Sequence, residues 1–284
     1  MQQRSLTIPA MDGYRLAATL FGPDAPPRAA LLIAGGTAIK QRIFSRFATY
    51  CSERGIAALT FDYRGVGGSA PATLRGFPAR MRDWALLDLP AVAGWLTQTY
   101  SDLPLYYAGH SFGGHALGLY PENMRFERSL LIATLSGYWR DFAGVEGYRT
   151  YCLMNIFAPA VISVAGYMPG SFGLGESLAA PTFREWANWC RLPNYFFDDP
   201  TLPETKHFGA YTGAIRSISF EDDPWTTHRS VQSLLRRYSN AQIEYLRYAP
   251  CELGLPNVGH VGFFRPHHRD RLWRESVDWL LSAA

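Results

Sequence analysis

Six short strand-like runs, most of them apolar, constrain this chain more than any other feature. They fall at 29–35 (AALLIAG), 56–62 (IAALTFD), 105–108 (LYYA), 129–135, 214–220 and 243–248. Runs of this length, bounded by Gly, Pro or Asp, suit strands buried on both faces. Between them lie segments of helical spacing. In 43–54, Ile43, Phe44, Phe47, Tyr50 and Cys51 fall on one side, and Gly55 stops the helix. In 81–100, Trp84, Leu87, Val92, Trp95 and Leu96 mark a long helix that Pro90 is expected to kink. Buried strands alternating with helices predict βαβ crossovers. The fold class is therefore α/β, a mostly parallel central sheet with helices on both faces. Two further strands, at 5–8 and 14–20 around Met-Asp-Gly, read as an antiparallel hairpin at one edge.

The rhythm stops between 138 and 207, a block rich in aromatics, Pro and Gly with no strand–helix alternation. It reads as a cap inserted between two core strands. The organisation expected is a core from 1–137, a cap at 138–207, and the rest of the core at 208–284. Residues 150–175 carry no charged side chain and are long enough to cross a bilayer. Asn155, Pro159, Gly166, Pro169 and Gly170 argue instead for a buried or cleft-lining helix broken near Gly166. A cap surface that touches lipid stays as an alternative.

Hydrophobic residues make up 48% of the 284 and charged residues 18%, which excludes global disorder. A net charge of +3, scattered along the chain, gives no footprint for nucleic acid. The four cysteines, at 51, 152, 190 and 251, are too far apart for a redox pair or zinc knuckle. Free thiols in a reducing compartment are expected. The N-terminus lacks the apolar core of a secretory signal, so the expected location is cytoplasmic.

Residues 109–114 read GHSFGG, the sole G-x-S-x-G in the chain. The pattern alone is weak, but a strand-like run enters it and a small-residue helix start leaves it. A nucleophile elbow needs that strand–turn–helix context. The turn would lift the Ser111 hydroxyl out of the sheet and leave the Phe112 N–H free at a helix N-terminus, where an anion is favoured. Ser111 needs a base. Among seven histidines, His260 stands out, in a Gly-rich loop (NVGHVGFF) after the last strand and at the same sheet end as Ser111. His110 is expected to point elsewhere and His115 to pack under the elbow. His207 ends the insertion, His228 falls in a helix, and His267 and His268 start a charged C-terminal one. The fifth strand runs into Glu221, Asp222 and Asp223. Asp223, just before Pro224, is favoured over Asp222 as the orienting acid. The other aspartate is expected to cap the next helix.

These residues resemble the α/β-hydrolase superfamily over nearly the whole chain: Gly35-Gly36 after the first central strand, the loop DYRGVGGS at 62–69, GHSFGG, EDDPW and NVGH. Within the insertion, GYMPG (166–170) and WANWCR (186–191) with Tyr195 are similar to a bacterial subgroup of predicted serine hydrolases, esterase-like or serine aminopeptidase-like. The family often sets its acid three residues past the strand after a Gly; Phe220 stands at that Gly's place, which supports Asp223 and leaves Asp222 open. The resemblance implies an oxyanion hole from the N–H groups of Phe112 and Thr37, though Gly35 replaces the usual His of that loop. Arg64 is expected to brace its own loop by a salt bridge.

The expected activity is hydrolysis of an ester or thioester of an apolar acyl group by Ser111, His260 and Asp223, with neither metal nor organic cofactor. Tyr138, Trp139 and Trp186 are candidates to line the acyl pocket. An acyltransferase, a serine aminopeptidase-like peptidase and a non-catalytic ligand-binding protein of the same fold are the alternatives.

Overall fold

The computed structural model describes residues 2–173 and 175–282. Its strands are β1 Gln2–Pro9, β2 Arg15–Gly22, β3 Ala29–Ala34, β4 Ile56–Phe61, β5 Leu105–His110, β6 Arg128–Ile132, β7 Tyr167–Met168, β8 Leu178–Ala179, β9 Ala214–Phe220 and β10 Gln242–Tyr248. Its α-helices are α1 Ser45–Glu53, α2 Met81–Asp83, α3 Leu89–Thr99, α4 Phe112–Leu119, α5 Glu146–Cys152, α6 Ala158–Ala165, α7 Ala180–Arg191, α8 His228–Leu235 and α9 Arg274–Leu281.

The central sheet has eight strands in the order β1-β2-β4-β3-β5-β6-β9-β10. β1 pairs antiparallel with β2 and β2 with β4; every later pairing is parallel. The expected edge hairpin is present, turning at Gly13 with φ +81°. Both faces are covered, and β3 shows why its run is continuous. Ala30, Leu32 and Ala34 join one core with residues of α3, α4 and α8, while Ala29, Leu31 and Ile33 join a second with α1 and α9. Period-2 alternation sends neighbours to opposite faces, so both parities must be apolar.

Three expectations shift. The strand expected at 129–135, β6, stops at Ile132 because Ala133 takes φ +50° and leaves the ladder. The long helix over 81–100 is widened by a π-turn at Trp84–Asp88 before α3 begins with Pro90 at its second position. A proline is tolerated in a first turn, where its missing N–H is not needed. Between β6 and β9, which are neighbours in the sheet, the chain leaves to form α5, α6, α7 and the short antiparallel pair β7–β8. That small pair is the strand content missing from the expectation. α6 ends at Gly166 (φ +80°), and among the described residues no helix is long and apolar enough to cross a membrane.

Candidate active site

Ser111 is the single residue between β5 and α4, and it holds φ +51°, ψ −114°. A non-glycine residue there is strained and persists only where its surroundings fix it. Its N–H donates to the Ile132 carbonyl at 2.9 Å, and its carbonyl accepts from Gly114 N–H at 3.0 Å. Glycine is required just beyond: a Cβ at Gly113 would sit 2.4 Å from the Ala34 carbonyl oxygen. The loop after β3 lies against the elbow, since a Cβ on Gly36 would come within 2.9 Å of Ser111 Cβ.

Asp223 and Asp222 leave the end of β9 in different directions. Asp223 Oδ2 lies 2.7 Å from His260 Nδ1, and its Oδ1 accepts from Trp225 N–H at 3.1 Å. Burial pushes the Asp223 carboxyl up, but the His260 charge and hydrogen bond, with further bonds from Thr226 and Trp225, hold it below its ordinary range. A carboxylate on Nδ1 selects the tautomer that leaves Nε2 bare, the form a general base needs. Asp222 instead accepts from Val258 N–H at 2.7 Å and Gly259 N–H at 3.0 Å. It clamps the histidine loop and does not cap the next helix. Thr227 caps α8, accepting from Ser230 N–H.

His110, beside Ser111, contacts the His260 carbonyl through Nε2 at 2.9 Å. Burial first, then the charge of His260, pushes its imidazole down to about 3, so it stays neutral and donates. The loop bearing His260 is thereby tied to the end of β5.

Ser111, His260 and Thr37 all line one cavity of about 520 Å³. Ser111 and His260 share no hydrogen bond among the described residues; such bonds often tighten only around substrate. Thr37 N–H makes no backbone hydrogen bond among the described residues, and Phe112 N–H opens a helix, where no intrahelical acceptor exists. The Phe112 ring is packed away in the core against Tyr63 and Trp84. Of the three wall candidates, Trp186 lines the cavity, whereas Tyr138 and Trp139 do not. Trp139 lies under α5, edge-on to Tyr148 and tilted against Tyr151, and Gly147 sits flush on its carbonyl; Tyr138 packs edge-on against Trp139. Phe142, Phe172, Tyr195 and Trp225 join Trp186 on the wall. Of the remaining histidines, only His115 lines it among the described residues.

Two contacts were invisible in the sequence because they join distant loops. The Trp225 ring stands edge-on to His260 at 4.7 Å, and its indole N–H donates to Glu146 at 2.7 Å. Arg64 turns from the cavity: its Nε meets Asp88 at 2.6 Å and its Nη1 meets Asp12 at 2.7 Å.

A family model described as "Serine aminopeptidase, S33" matches residues 25–142, which span the first central strand and the elbow but neither the acid nor the histidine loop. No curated protein sequence matches the chain. Among solved structures, a carboxyl esterase from Bacillus coagulans superposes with TM-score 0.65 at 13% identity, covering 99% of this chain and 98% of its own. A monoglyceride lipase from Saccharomyces cerevisiae gives 0.67 at 15%, covering 97% and 96%. An esterase from Pyrococcus furiosus gives 0.62 at 16%, covering 99% and 91%.

Proposed function

This chain has the α/β-hydrolase fold, and from that premise we propose that it is a serine hydrolase cleaving an ester or thioester of an apolar acyl group. One observation carries the reading. His260, hydrogen-bonded at 2.7 Å to the buried Asp223 carboxylate, opens on the same cavity as a strained serine.

His260 Nε2 takes the Ser111 proton as Oγ attacks the substrate carbonyl, and Asp223 stabilises the imidazolium that forms. The developing oxyanion is held by the N–H groups of Thr37 and Phe112; losing one such donor costs about 2.7–4 kcal/mol of transition-state stabilisation. His260 then protonates the leaving group, and water, deprotonated by the same imidazole, releases the acyl-enzyme. No step calls for a metal or a cofactor. The block 138–207 acts as a cap, and its Phe142, Leu153, Met154 and Trp186 give the acyl chain an apolar wall. A peptidase that binds a substrate amine fits less well. Glu176, the sole carboxylate lining the cavity among the described residues, is paired with Lys40 at 2.8 Å. Four unpaired thiols agree with a reducing, cytoplasmic setting.

A fluorophosphonate probe is expected to label the wild type at Ser111 and to leave Ser111→Ala unlabelled, with p-nitrophenyl esters cleaved faster than a cationic peptide amide. An unlabelled wild type, or an amide cleaved as fast as the esters, would refute the reading.

A further inference from the structure

We propose that this cavity recognises an aliphatic hydroxyl on the substrate through Tyr195 and His115, an inference that rests on the ester-cleaving function above. His115 lies on α4, one turn beyond Ser111, and lines the cavity while being 4% exposed. Its Nε2 is 2.5 Å from the Leu135 carbonyl oxygen. A carbonyl only accepts, so Nε2 carries the hydrogen and Nδ1 is a bare lone pair. Nδ1 is buried with no hydrogen-bond partner. Burial pushes the imidazole down to about 4, which keeps it neutral and accepting.

Tyr195 stands beside it, ring to ring at 5.2 Å, and also lines the cavity. It is held at φ +56°, a strained setting for a residue with a side chain. Gly137 makes room for it, since a Cβ there would come within 2.5 Å of the ring. Its hydroxyl gives its hydrogen to no acceptor among the described residues, so it is available as a donor.

One donor and one acceptor therefore line a cavity whose wall also carries Leu135, Leu153 and Met154. Buried polar groups in native proteins are paired, and an unpaired one needs a reason. An alcohol group satisfies both, accepting from Tyr195 and donating to His115. A substrate carbonyl could use only the tyrosine, and an ammonium only the imidazole. The strain at Tyr195 places the donor where a relaxed backbone would not.

Two ester pairs test this and separate the two places a hydroxyl could sit. The acyl arm compares p-nitrophenyl hexanoate with p-nitrophenyl 6-hydroxyhexanoate; the alcohol arm compares ethyl hexanoate with 2-hydroxyethyl hexanoate. In one arm the hydroxylated member should show kcat/KM higher by about tenfold, as two added hydrogen bonds would give. Tyr195→Phe, which removes one oxygen, should bring that ratio towards one, and His115→Leu should do the same. Ratios near one in both arms for the wild type, or a preference that survives Tyr195→Phe, would overturn the proposal. Binding of the same esters to Ser111→Ala reads recognition without turnover. A tighter Kd for a hydroxylated member supports the proposal, and equal Kd values in both arms overturn it. Either result stands even should the wild type cleave no ester, an outcome that removes the hydrolase reading alone.

Discussion

Two adjacent aspartates leave β9, and geometry gives them separate work. Asp223 is fully buried against His260, the base of the proposed mechanism, so Asp223→Asn should keep the fold and lower kcat by about 10⁴, since an amide cannot hold the imidazolium or enforce the tautomer. Asp222 bonds two backbone N–H groups of the histidine loop. Asp222→Ala should loosen that loop, lowering kcat about tenfold while Ser111 still reacts with a fluorophosphonate, because a bond to a charged acceptor is worth about 1.5–3 kcal/mol. Equal losses for the two variants would mean that the acid is shared. Chain order and the spacing past Phe220 pointed to the first role. The second was illegible, because its partners are backbone groups near residue 258, and a backbone N–H leaves no mark in a sequence. His110 was hidden likewise: nothing beside it in the sequence shows that its ring reaches a carbonyl 150 positions away.

The strands were legible because burial on both faces leaves an uninterrupted apolar run, as in β3 and β4. Their ends were less so, since Ala133 leaves the ladder through its backbone conformation, which alanine does not advertise. The insertion was legible as an interruption, but its inner and outer aromatics were not distinguishable by composition; Trp139 and Trp186 look alike until α5 is placed. The same segment is fastened to the acid loop by four bonds: Ala143 N–H to the Pro224 carbonyl, Thr227 Oγ1 to the Asp141 carbonyl, Arg229 to Asp141, and Trp225 to Glu146. Because Trp225 also abuts His260, the fastening bears on the base. Glu146→Leu should therefore lower kcat/KM for a short ester about tenfold, since a bond to a charged acceptor is worth about 1.5–3 kcal/mol. If kcat/KM is unchanged while the melting temperature drops, the contact is structural only. At the elbow, Gly113→Ala should destabilise by about 2–4 kcal/mol, since β3 and α4 cannot part without disturbing the sheet; chemical denaturation measures it.

The molecule as a whole buries titratable groups that act on stability in opposite senses. His110, His115 and His268 are pushed down from 6.5, to about 3, about 4 and about 4, chiefly by burial. An unfolded chain binds more protons than the fold at these sites, so their contribution is full above pH 6.5 and is lost as pH falls towards 4. Between pH 7 and 5 the loss is about 2 kcal/mol for each. Asp88 behaves inversely. Burial raises its carboxyl to about 7 against the pull of Arg64, so the fold holds its proton more tightly and gains as pH falls from 7 towards 3.8, about 2 kcal/mol by pH 5. Three imidazoles outweigh one carboxyl, and the wild type should lose about 4 kcal/mol of unfolding free energy between pH 7 and pH 5. Replacing His110 with Gln removes one of the losing groups and should bring that loss to about 2 kcal/mol. Urea unfolding at the two pH values reads both quantities. A wild type that grows more stable on acidification would mean that the imidazoles gain protons inside the fold, which their dry surroundings oppose. None of this could be taken from a net charge of +3, because histidine is as much at home on a surface as in a core, and only the packing around it says which proton equilibrium it follows.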